Sequence, residues 1–280
     1  MKRKLRTNIL VQSTSYLFLL LLLFLALFPA VWMFITSIKP PEEVFTLPPK
    51  LTVDNPTLVN YGRVIFDSNI PRSFFNSLVV TVLTTFFTLL FAMLAGYGFS
   101  RFVFRGSNTI STGLLFGQMM PGVVLIMPLY MMFGKLHLID TYGALILANM
   151  AITIPLGVIM LRTFFDTVPR ELEEAAKIDG CSNLGALFRI VLPISKPGIV
   201  AVSVYTFLHT WEEFLFALIL SNSSSVKTLP IAVNEFSSEF VIDWGGMMSA
   251  SVVISVPVLL IFILCHKSFV KGLSDGSIKG

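Results

Sequence analysis

Residues 15–36 read SYLFLLLLLFLALFPAVWMFIT, a run of 22 positions without a charged side chain. A helix needs about 20 such residues to cross a bilayer, because the hydrocarbon core is about 30 Å thick and each residue adds about 1.5 Å. The basic segment Met1–Arg6 gives the start of the chain some likeness to a secretory signal peptide. The apolar run continues through Ile35 without a small-residue cleavage site, so the segment predicts an uncleaved transmembrane helix.

Five further stretches have the length and composition of membrane spans. Four of them carry no Asp, Glu, Lys or Arg, namely Ser73–Ser100, Gly106–Gly134, Thr141–Leu161 and Trp244–Cys265. The fifth, Pro197–Ser221, contains only Glu212 and Glu213 near its far end. The sequence predicts an all-α, polytopic membrane bundle with six transmembrane helices at about 15–36, 77–99, 110–134, 141–162, 197–220 and 247–266.

The composition excludes most other classes of protein. Hydrophobic residues make up 55% of the chain and charged residues 13%, with a mean hydropathy of +0.82. A soluble domain is roughly 45–50% apolar and about 25% charged. The net charge of +4 does not indicate a nucleic-acid partner, because the basic residues are spread between apolar runs. Cys181 and Cys265 fall in segments predicted to be cytoplasmic or nearly so, where thiols stay reduced.

The sequence lacks the residue patterns of a catalytic or metal site. His137, His209 and His266 are scattered, and neither a His-Glu-x-x-His pair nor a cysteine pair at metal spacing occurs. Gly134-Lys135 lacks the upstream glycine and the following hydroxyl of a nucleotide-binding loop. We therefore expect no catalytic residue, no metal and no cofactor in this chain.

The distribution of Lys and Arg predicts the orientation, since positive residues are retained on the cytoplasmic side. With the amino terminus inside, the inner segments hold four, two, five and three basic residues, 14 of the 20 in the chain. The outer segments hold the other 6. Both termini are therefore predicted to be cytoplasmic.

Proline is concentrated in one outer loop and also occurs inside predicted spans. Six of the fifteen prolines fall in the outer loop 37–72, and they restrict its backbone to extended and turn conformations, so a stiff irregular connection is predicted. The other long outer loop, 222–248, is acidic. Pro121, Pro128, Pro155 and Pro257 lie inside predicted spans, where kinks tolerated by packing are one interpretation, and kinks at Pro121 and Pro128 that shape a pathway are the other.

The inner loop 162–196 is the only cytoplasmic connection long enough to have structure of its own. Within it, Asp166 or Thr167 is predicted to cap a short helix that has Pro169 in its first turn. Gly180 suits the left-handed residue that ends such a helix.

A second short helix is predicted after the glycine. Ser182 or Asn183 caps it, it runs over Leu184–Leu192, and Pro193 stops it. The loop is therefore expected to project from the membrane as two helices joined by a glycine elbow.

Several residues of this loop stand at the spacing of a known signature. Glu174-Ala-Ala is followed after three residues by Gly180, and after nine more by Ile190-Val-Leu-Pro193. This pattern resembles the inner-loop signature of the membrane subunits of ATP-binding-cassette importers. Five further segments resemble the carbohydrate-uptake branch of this family: 171–180, 192–197, 211–218, 228–231 and 272–280. The nearest resemblance is to the smaller, six-span permease subunit of maltose-type importers, and it covers nearly the whole chain.

The chain departs from the family pattern at two positions. Cys181 stands where the family commonly has Ala, which is one small residue for another. Glu212 stands where the family often has Asn, which leaves the role of the stretch around Trp211 open.

The resemblance implies a division of the chain and a set of partners. Residues 1–72 hold the cytoplasmic amino terminus, the first span and the outer proline-rich loop. Residues 73–266 correspond to the common importer domain with its coupling loop 166–196, and 267–280 form a cytoplasmic tail. The implied partners are a second permease subunit, two copies of a cytoplasmic ATP-binding subunit that hydrolyses the ATP, and an extracellular or periplasmic sugar-binding protein. The implied location is the cell membrane of a bacterium or archaeon.

The resemblance also assigns roles to residues. The loop helix is expected to dock into a groove of the ATPase, and the coupling residues are Glu174, Ala175, Ala176, Asp179, Gly180, Ile190, Leu192 and Pro193. Small alanines permit close approach, and the carboxylates can meet basic groups. The pathway candidates, from residue type and position alone, are Met119, Met120, Asn149, Trp211, Glu212 and Glu213. Glu212 and Glu213 are functional candidates because a buried carboxylate is costly, and carboxylates that merely end the span are the alternative.

The expected function is that of a permease subunit of an ATP-driven importer of a di- or oligosaccharide. Two alternatives remain at this stage. One is the same importer class with a non-sugar cargo such as glycerol phosphate. The other is a secondary transporter driven by an ion gradient, although the chain shows neither a visible repeat nor a mid-membrane charge.

Overall fold

The computed structural model describes residues 2–46, 48, 50–238 and 242–277, with side chains described between 12 and 265. The described part of the chain is mainly helical. Its helices are α1 (Lys2–Ser37), α2 (Pro41–Val44), α3 (Val59–Phe66), α4 (Ile70–Arg101), α5 (Ser107–Met119), α6 (Gly122–Lys135), α7 (Tyr142–Asp166), α8 (Arg170–Ile178), α9 (Asn183–Ala186), a π-helical turn (Leu187–Val191), α10 (Leu192–Ile194), α11 (Lys196–Trp211), α12 (Leu215–Leu220), α13 (Leu229–Asn234) and α14 (Trp244–Ser277).

The chain divides into two compact units, the first of which comprises Met1–Ile70 and Val233–Ser255. Its helix α1 exposes every described side chain from Thr14 to Val31. In water so large an exposed apolar surface would promote aggregation. In a bilayer the backbone hydrogen bonds are made within the helix, and the apolar side chains suit contact with lipid.

Buried polar contacts hold the end of α1 in the first unit. The Asn60 amide nitrogen donates to the carbonyls of Ser37 (3.1 Å) and Lys39 (2.8 Å), which satisfies acceptors that a helix end leaves unpaired. Lys39 is 3% exposed, and its Nζ donates to the Lys50 carbonyl (2.5 Å). The loop 37–72 contains α2 and α3, so the prediction of a wholly irregular connection was wrong.

The second unit comprises Pro71–Ala232 and Val256–Gly280, and α7 lies at its centre. One apolar cluster joins Leu145 of α7 to Phe133 and Phe216, and another joins Leu161 and Phe165 to the π-helical turn. Small residues let the helices approach closely: a Cβ on Gly157 would lie 3.1 Å from Ala92 Cβ of α4 and 3.3 Å from Val202 Cγ1 of α11.

Four described helices are long and apolar enough to cross a membrane, or up to six if each of two bent pairs is one span. The four are 14–37, 70–101, 142–166 and 244–265. The predicted all-α character is thus confirmed for the described residues, with four to six candidate membrane-spanning helices.

The third predicted span is not one helix. The stretch 110–134 folds as α5 and α6, whose axes differ by 103°. Met120 is extended, with a ψ of 127°, because a residue before proline is disfavoured in the helical conformation, and Pro121 has a similar ψ of 130°. Pro121 therefore ends a helix, and only Pro128 lies inside one.

The fifth predicted span, 197–220, is interrupted as well. Helix α11 ends at Trp211, and α12 starts again at Leu215. At its other end, α11 meets the stretch 183–194 at an angle of 81°. The continuous helix predicted from hydropathy is wrong here, because composition does not report where the chain changes direction.

Candidate functional site

The loop between α7 and α11 forms two short helical pieces joined at Gly180. This glycine has a φ of +84°, and its N–H donates to the Lys177 carbonyl (3.0 Å). The next N–H, of Cys181, donates to the Ala176 carbonyl (2.9 Å). These two bonds form a Schellman motif, which requires a left-handed residue at the glycine position. The predicted glycine elbow is confirmed.

The first loop helix begins later than predicted. Pro169 occupies the position before α8, so it precedes the first turn instead of lying in it. The predicted caps bond elsewhere: Asp166 Oδ1 accepts from Ser100 Oγ (2.5 Å), and Thr167 Oγ1 donates to the Phe164 carbonyl (2.7 Å). Both residues complete the end of α7, and neither caps α8.

The second loop helix is capped by Ser182, whose Oγ accepts from the Gly185 N–H (3.1 Å). It includes the π-helical turn Leu187–Val191, and such turns often lie at functional positions. Pro193 does not stop it. The proline directly follows the π-helical turn, and the helix continues past it to Ile194.

The side of α8 that faces the helix bundle is attached to α4 by a buried ion pair. Glu173 is the buried residue of α8, at 3% exposure. Its Oε1 lies 2.5 Å from Arg101 Nε, and its Oε2 accepts from Tyr97 Oη (2.7 Å). Arg101 Nη2 also donates to the Val168 carbonyl (3.0 Å), at the start of the loop.

The surface of the loop that points away from the helix bundle is exposed, and it carries both apolar and acidic side chains. Ile178 is 88% exposed, and Leu172, Leu184 and Phe188 are each close to half exposed. Four of the predicted coupling residues belong to the same exposed part of the loop, Glu174, Ala175, Asp179 and Gly180. We call the exposed residues 172, 174, 175, 178–180, 184 and 188 the docking face.

The other predicted coupling residues are less accessible or stand apart. Ala176, Ile190 and Leu192 are half-buried, while Pro193 is exposed. The structure thus brings Glu174–Gly180 together on α8 and its elbow and leaves Ile190 and Leu192 partly within the bundle.

The pathway candidates fall into two groups. Met119 (78% exposed) and Met120 (49% exposed) lie at the break between α5 and α6. Asn149 is 2% exposed within α7, and its Nδ2 donates to the Leu145 carbonyl (2.9 Å) of its own helix. Trp211 is 1% exposed and packs against Phe74 with ring centroids 5.5 Å apart. The methionines are therefore accessible, and Asn149 and Trp211 are packed.

The two carboxylates of the fifth stretch have different surroundings. Glu212 is exposed. Glu213 accepts from the backbone N–H groups of Phe216 (2.6 Å) and Ala217 (3.0 Å), so it caps the first turn of α12. This position favours the structural interpretation of Glu213.

Sequence reasoning did not identify Tyr97, Arg101 and Glu173 as parts of the site. A weak signal was present, because Tyr97 and Arg101 are four residues apart and so share one face of α4. The acidic partner could not be chosen from sequence, since 171, 173 and 174 are all Glu.

Known proteins resemble this chain over most of its length. Residues 88–275 match the family described as binding-protein-dependent transport system inner membrane component. The chain is 35% identical over 260 residues to the sulfoquinovosyl glycerol transport system permease protein SmoH of Agrobacterium fabrum, covering 93% of this chain and 91% of the relative. It is 35% identical over 272 residues to the arabinooligosaccharides transport system permease protein AraQ of Bacillus subtilis, covering 94% of each.

A solved structure has the same fold. It is the crystal structure of a bacterial ABC transporter involved in import of the acidic polysaccharide alginate, with a TM-score of 0.83 and 20% identity. The similarity covers 94% of this chain and 98% of that chain. The chain therefore belongs to the family of binding-protein-dependent transport system inner membrane components, the permease subunits of ABC transporters.

Proposed function

We propose that this chain is one of two permease subunits of an ATP-driven importer and forms half of its pathway for a di- or oligosaccharide. The cargo class is supported by the relatives, which are named for a sulfoquinovosyl glycerol and for arabinooligosaccharides. The proposed partners are the second permease, two copies of a cytoplasmic ATPase and an external sugar-binding protein. ATP is bound and hydrolysed by the ATPase copies.

The proposed arrangement has six spans with both termini in the cytoplasm. It is supported by the excess of Lys and Arg in the segments assigned to the inner side, 14 against 6. The bent pair α5 with α6 then counts as one crossing, and α11 with α12 makes the fifth, while the stretch 183–194 that meets α11 at 81° belongs to the cytoplasmic loop. The loop 166–196 faces the cytoplasm in this arrangement.

The observation that carries the proposal is the two-sided character of α8. One side is anchored through Glu173, while the docking face exposes apolar groups such as Ile178 beside carboxylates. One exposed isoleucine is ordinary on a solvated helix, but the loop also exposes Leu172, Leu184 and Phe188, and several large apolar side chains exposed in one short loop favour a surface that a partner covers. The carboxylates of the docking face suit basic groups of such a groove.

Substitutions of Gly180 test this docking. The residue has a positive φ, and a Cβ added there would have no atom of the described residues within 4 Å, so added atoms meet a partner before they meet this chain. Gly180→Asn is the matched control, because Asn tolerates the left-handed conformation and is neutral. Gly180→Asp has nearly the same shape but adds a further carboxylate at the elbow, beyond Glu174 and Asp179, and a charge buried at a contact without its own partner is destabilising.

We expect Gly180→Asn to retain most of the uptake and Gly180→Asp to lose both uptake and the ATPase subunit on purification of the complex. The measurement is ATPase co-purification together with binding-protein-dependent uptake of a saccharide panel. Normal uptake with undiminished ATPase in Gly180→Asp would overturn the docking role.

A further inference from the structure

We propose that the buried ion pair between Arg101 and Glu173 is the rigid link through which α8 moves α4, with Arg101 as a positioning residue for coupling. The inference rests on the proposed docking role of the loop 166–196. It adds a specific connection within this chain, from the docking helix to a membrane-spanning helix.

The link is nearly shielded from water. The side chains of Arg101 and Glu173 are 8% and 3% exposed, and their charged atoms are 2.5 Å apart. Both carboxylate oxygens are engaged, since Tyr97 Oη donates to the second one (2.7 Å). A charge-assisted contact at this distance in a poorly hydrated place is short and directional, so it resists both stretching and sliding.

The link also reaches both sides of the glycine elbow. Arg101 Nη2 donates to the Val168 carbonyl just before α8, and Tyr97 Oη lies 3.3 Å from the Asn183 carbonyl at the start of α9. The last turn of α4, residues 97–101, thus holds the entry and the middle of the first loop helix and lies beside the start of the second. A force on the docking face is delivered to one end of α4.

Apolar packing cannot supply this connection for α8. Among the described residues of α8, Glu173 is the one that is buried, and the apolar Leu172 and Ile178 face outward. The helix is therefore attached mainly by polar bonds of fixed geometry. A second contact at the same end of α4, from Arg170 Nη2 to the Ser100 carbonyl (3.0 Å), is made by an exposed residue and adds little.

Removal of one partner leaves an uncompensated buried charge, whereas replacement of both partners by apolar residues of similar size is often neutral for stability. If the pair only stabilises the fold, replacing both partners by apolar residues should preserve coupling. If the pair is a link, the same replacement should keep the protein folded and still lose coupling. The variants are Arg101→Gln, Glu173→Gln and the double variant with Met at both positions. The matched control is Arg162→Gln, which breaks a partly exposed pair with Asp166 (3.8 Å) within α7 and a hydrogen bond to Ser111 Oγ of α5 (3.0 Å), neither of which involves α8.

The measurement is the amount of solute transported per ATP hydrolysed by the reconstituted complex, with ATPase co-purification recorded for each variant. We expect the single variants and the Met double variant to keep the ATPase subunit and to transport at least about tenfold less solute per ATP. Arg162→Gln is expected to stay within about twofold of the unmodified chain. If the single-variant proteins are not produced in the membrane, the transport-to-ATP ratio of the Met double variant is the test of the link.

Two results would overturn the link. One is an unchanged transport-to-ATP ratio in all variants. The other is recovery of the ratio in the Met double variant, which would show that only charge neutrality matters at this site. Failure of the docking proposal is distinct, because it would leave Gly180→Asp active, whereas the link variants do not alter the docking face.

Discussion

Glu213 lies in the break between α11 and α12, where its carboxylate accepts from the N–H groups of Phe216 and Ala217. Loss of such a cap costs about 1 kcal/mol. We predict that Glu213→Gln, which keeps one acceptor oxygen, retains uptake within about twofold and that Glu213→Ala lowers the free energy of unfolding by about 1 kcal/mol. Thermal unfolding of the purified complex and uptake assays check this. Abolished uptake in well-expressed Glu213→Gln would instead indicate a role in the pathway.

Asp140 ties the loop before α7 to the residues after α12. Its carboxylate accepts from the N–H groups of Asn222 (2.8 Å) and Ser223 (2.9 Å). The hydrogen bonds from the backbone N–H and the hydroxyl of Ser223, and then that from Asn222, hold the pKa of Asp140 below its ordinary value. A lowered pKa in the folded state means that this stabilisation is complete above the unfolded pKa of about 3.9 and is lost as the pH falls through the folded value.

The corresponding prediction concerns hydrogen exchange at Asn222 and Ser223. Relative to Asp140→Asn, the unmodified chain should protect these amides more at neutral pH, and the difference should shrink below about pH 4. Asn is the suitable comparison, because Asp140 has a φ of +63° and Asn tolerates that conformation. A protection difference that is independent of pH would contradict the assigned hydrogen bonds.

The sequence predicted the structural role of some single residues and not of others. Gly180 was predicted, since a glycine after a helical pattern has a local meaning that needs no knowledge of the fold. The pairing of Arg101 with Glu173 was not, because the two residues are 72 positions apart and α8 has the composition of a solvated surface helix. The coupling signature was found through its spacing, and the contacts that hold it were found only in three dimensions.

At the scale of elements, hydropathy predicted spans well where the chain runs straight. Helices α1, α4, α7 and α14 match predicted spans, although α4 starts earlier and α14 is longer. The errors lie at Pro121 and at residues 212–214, where the chain turns inside an apolar stretch. A window average reports only whether a segment suits lipid, and the bend of 103° leaves that average unchanged.

The exposed apolar surface of α1 gives an element-scale prediction. Leu25 lies near the middle of the apolar part 14–37 and is 58% exposed. Leu25→Arg should impair insertion, because arginine at a helix centre costs roughly 2.5–3.5 kcal/mol on insertion scales. The fraction of chains whose loop 37–72 is labelled at an introduced cysteine from the outside of intact cells measures this, with Leu25→Ala as the control. Equal labelling of both variants would contradict the crossing of the bilayer by α1.

At the scale of the whole molecule, membership of the importer family decides against a self-contained secondary transporter. The chain supplies helices, an accessible break at Met119 and Met120, and a docking face, while the proposed source of energy lies in another subunit. Moving a two-state pathway from 1:99 to 99:1 takes about 5.5 kcal/mol of differential binding, and the ATPase pair is the proposed supplier of it.

The most direct test is saccharide uptake into proteoliposomes that contain either this chain alone or the complete complex with ATP on the side of the loop 166–196. The account predicts no accumulation by the chain alone, and uptake by the complex that requires ATP and persists when a protonophore collapses the proton gradient. Accumulation by the isolated chain, or uptake by the complex that stops with the gradient while ATP remains, would contradict it.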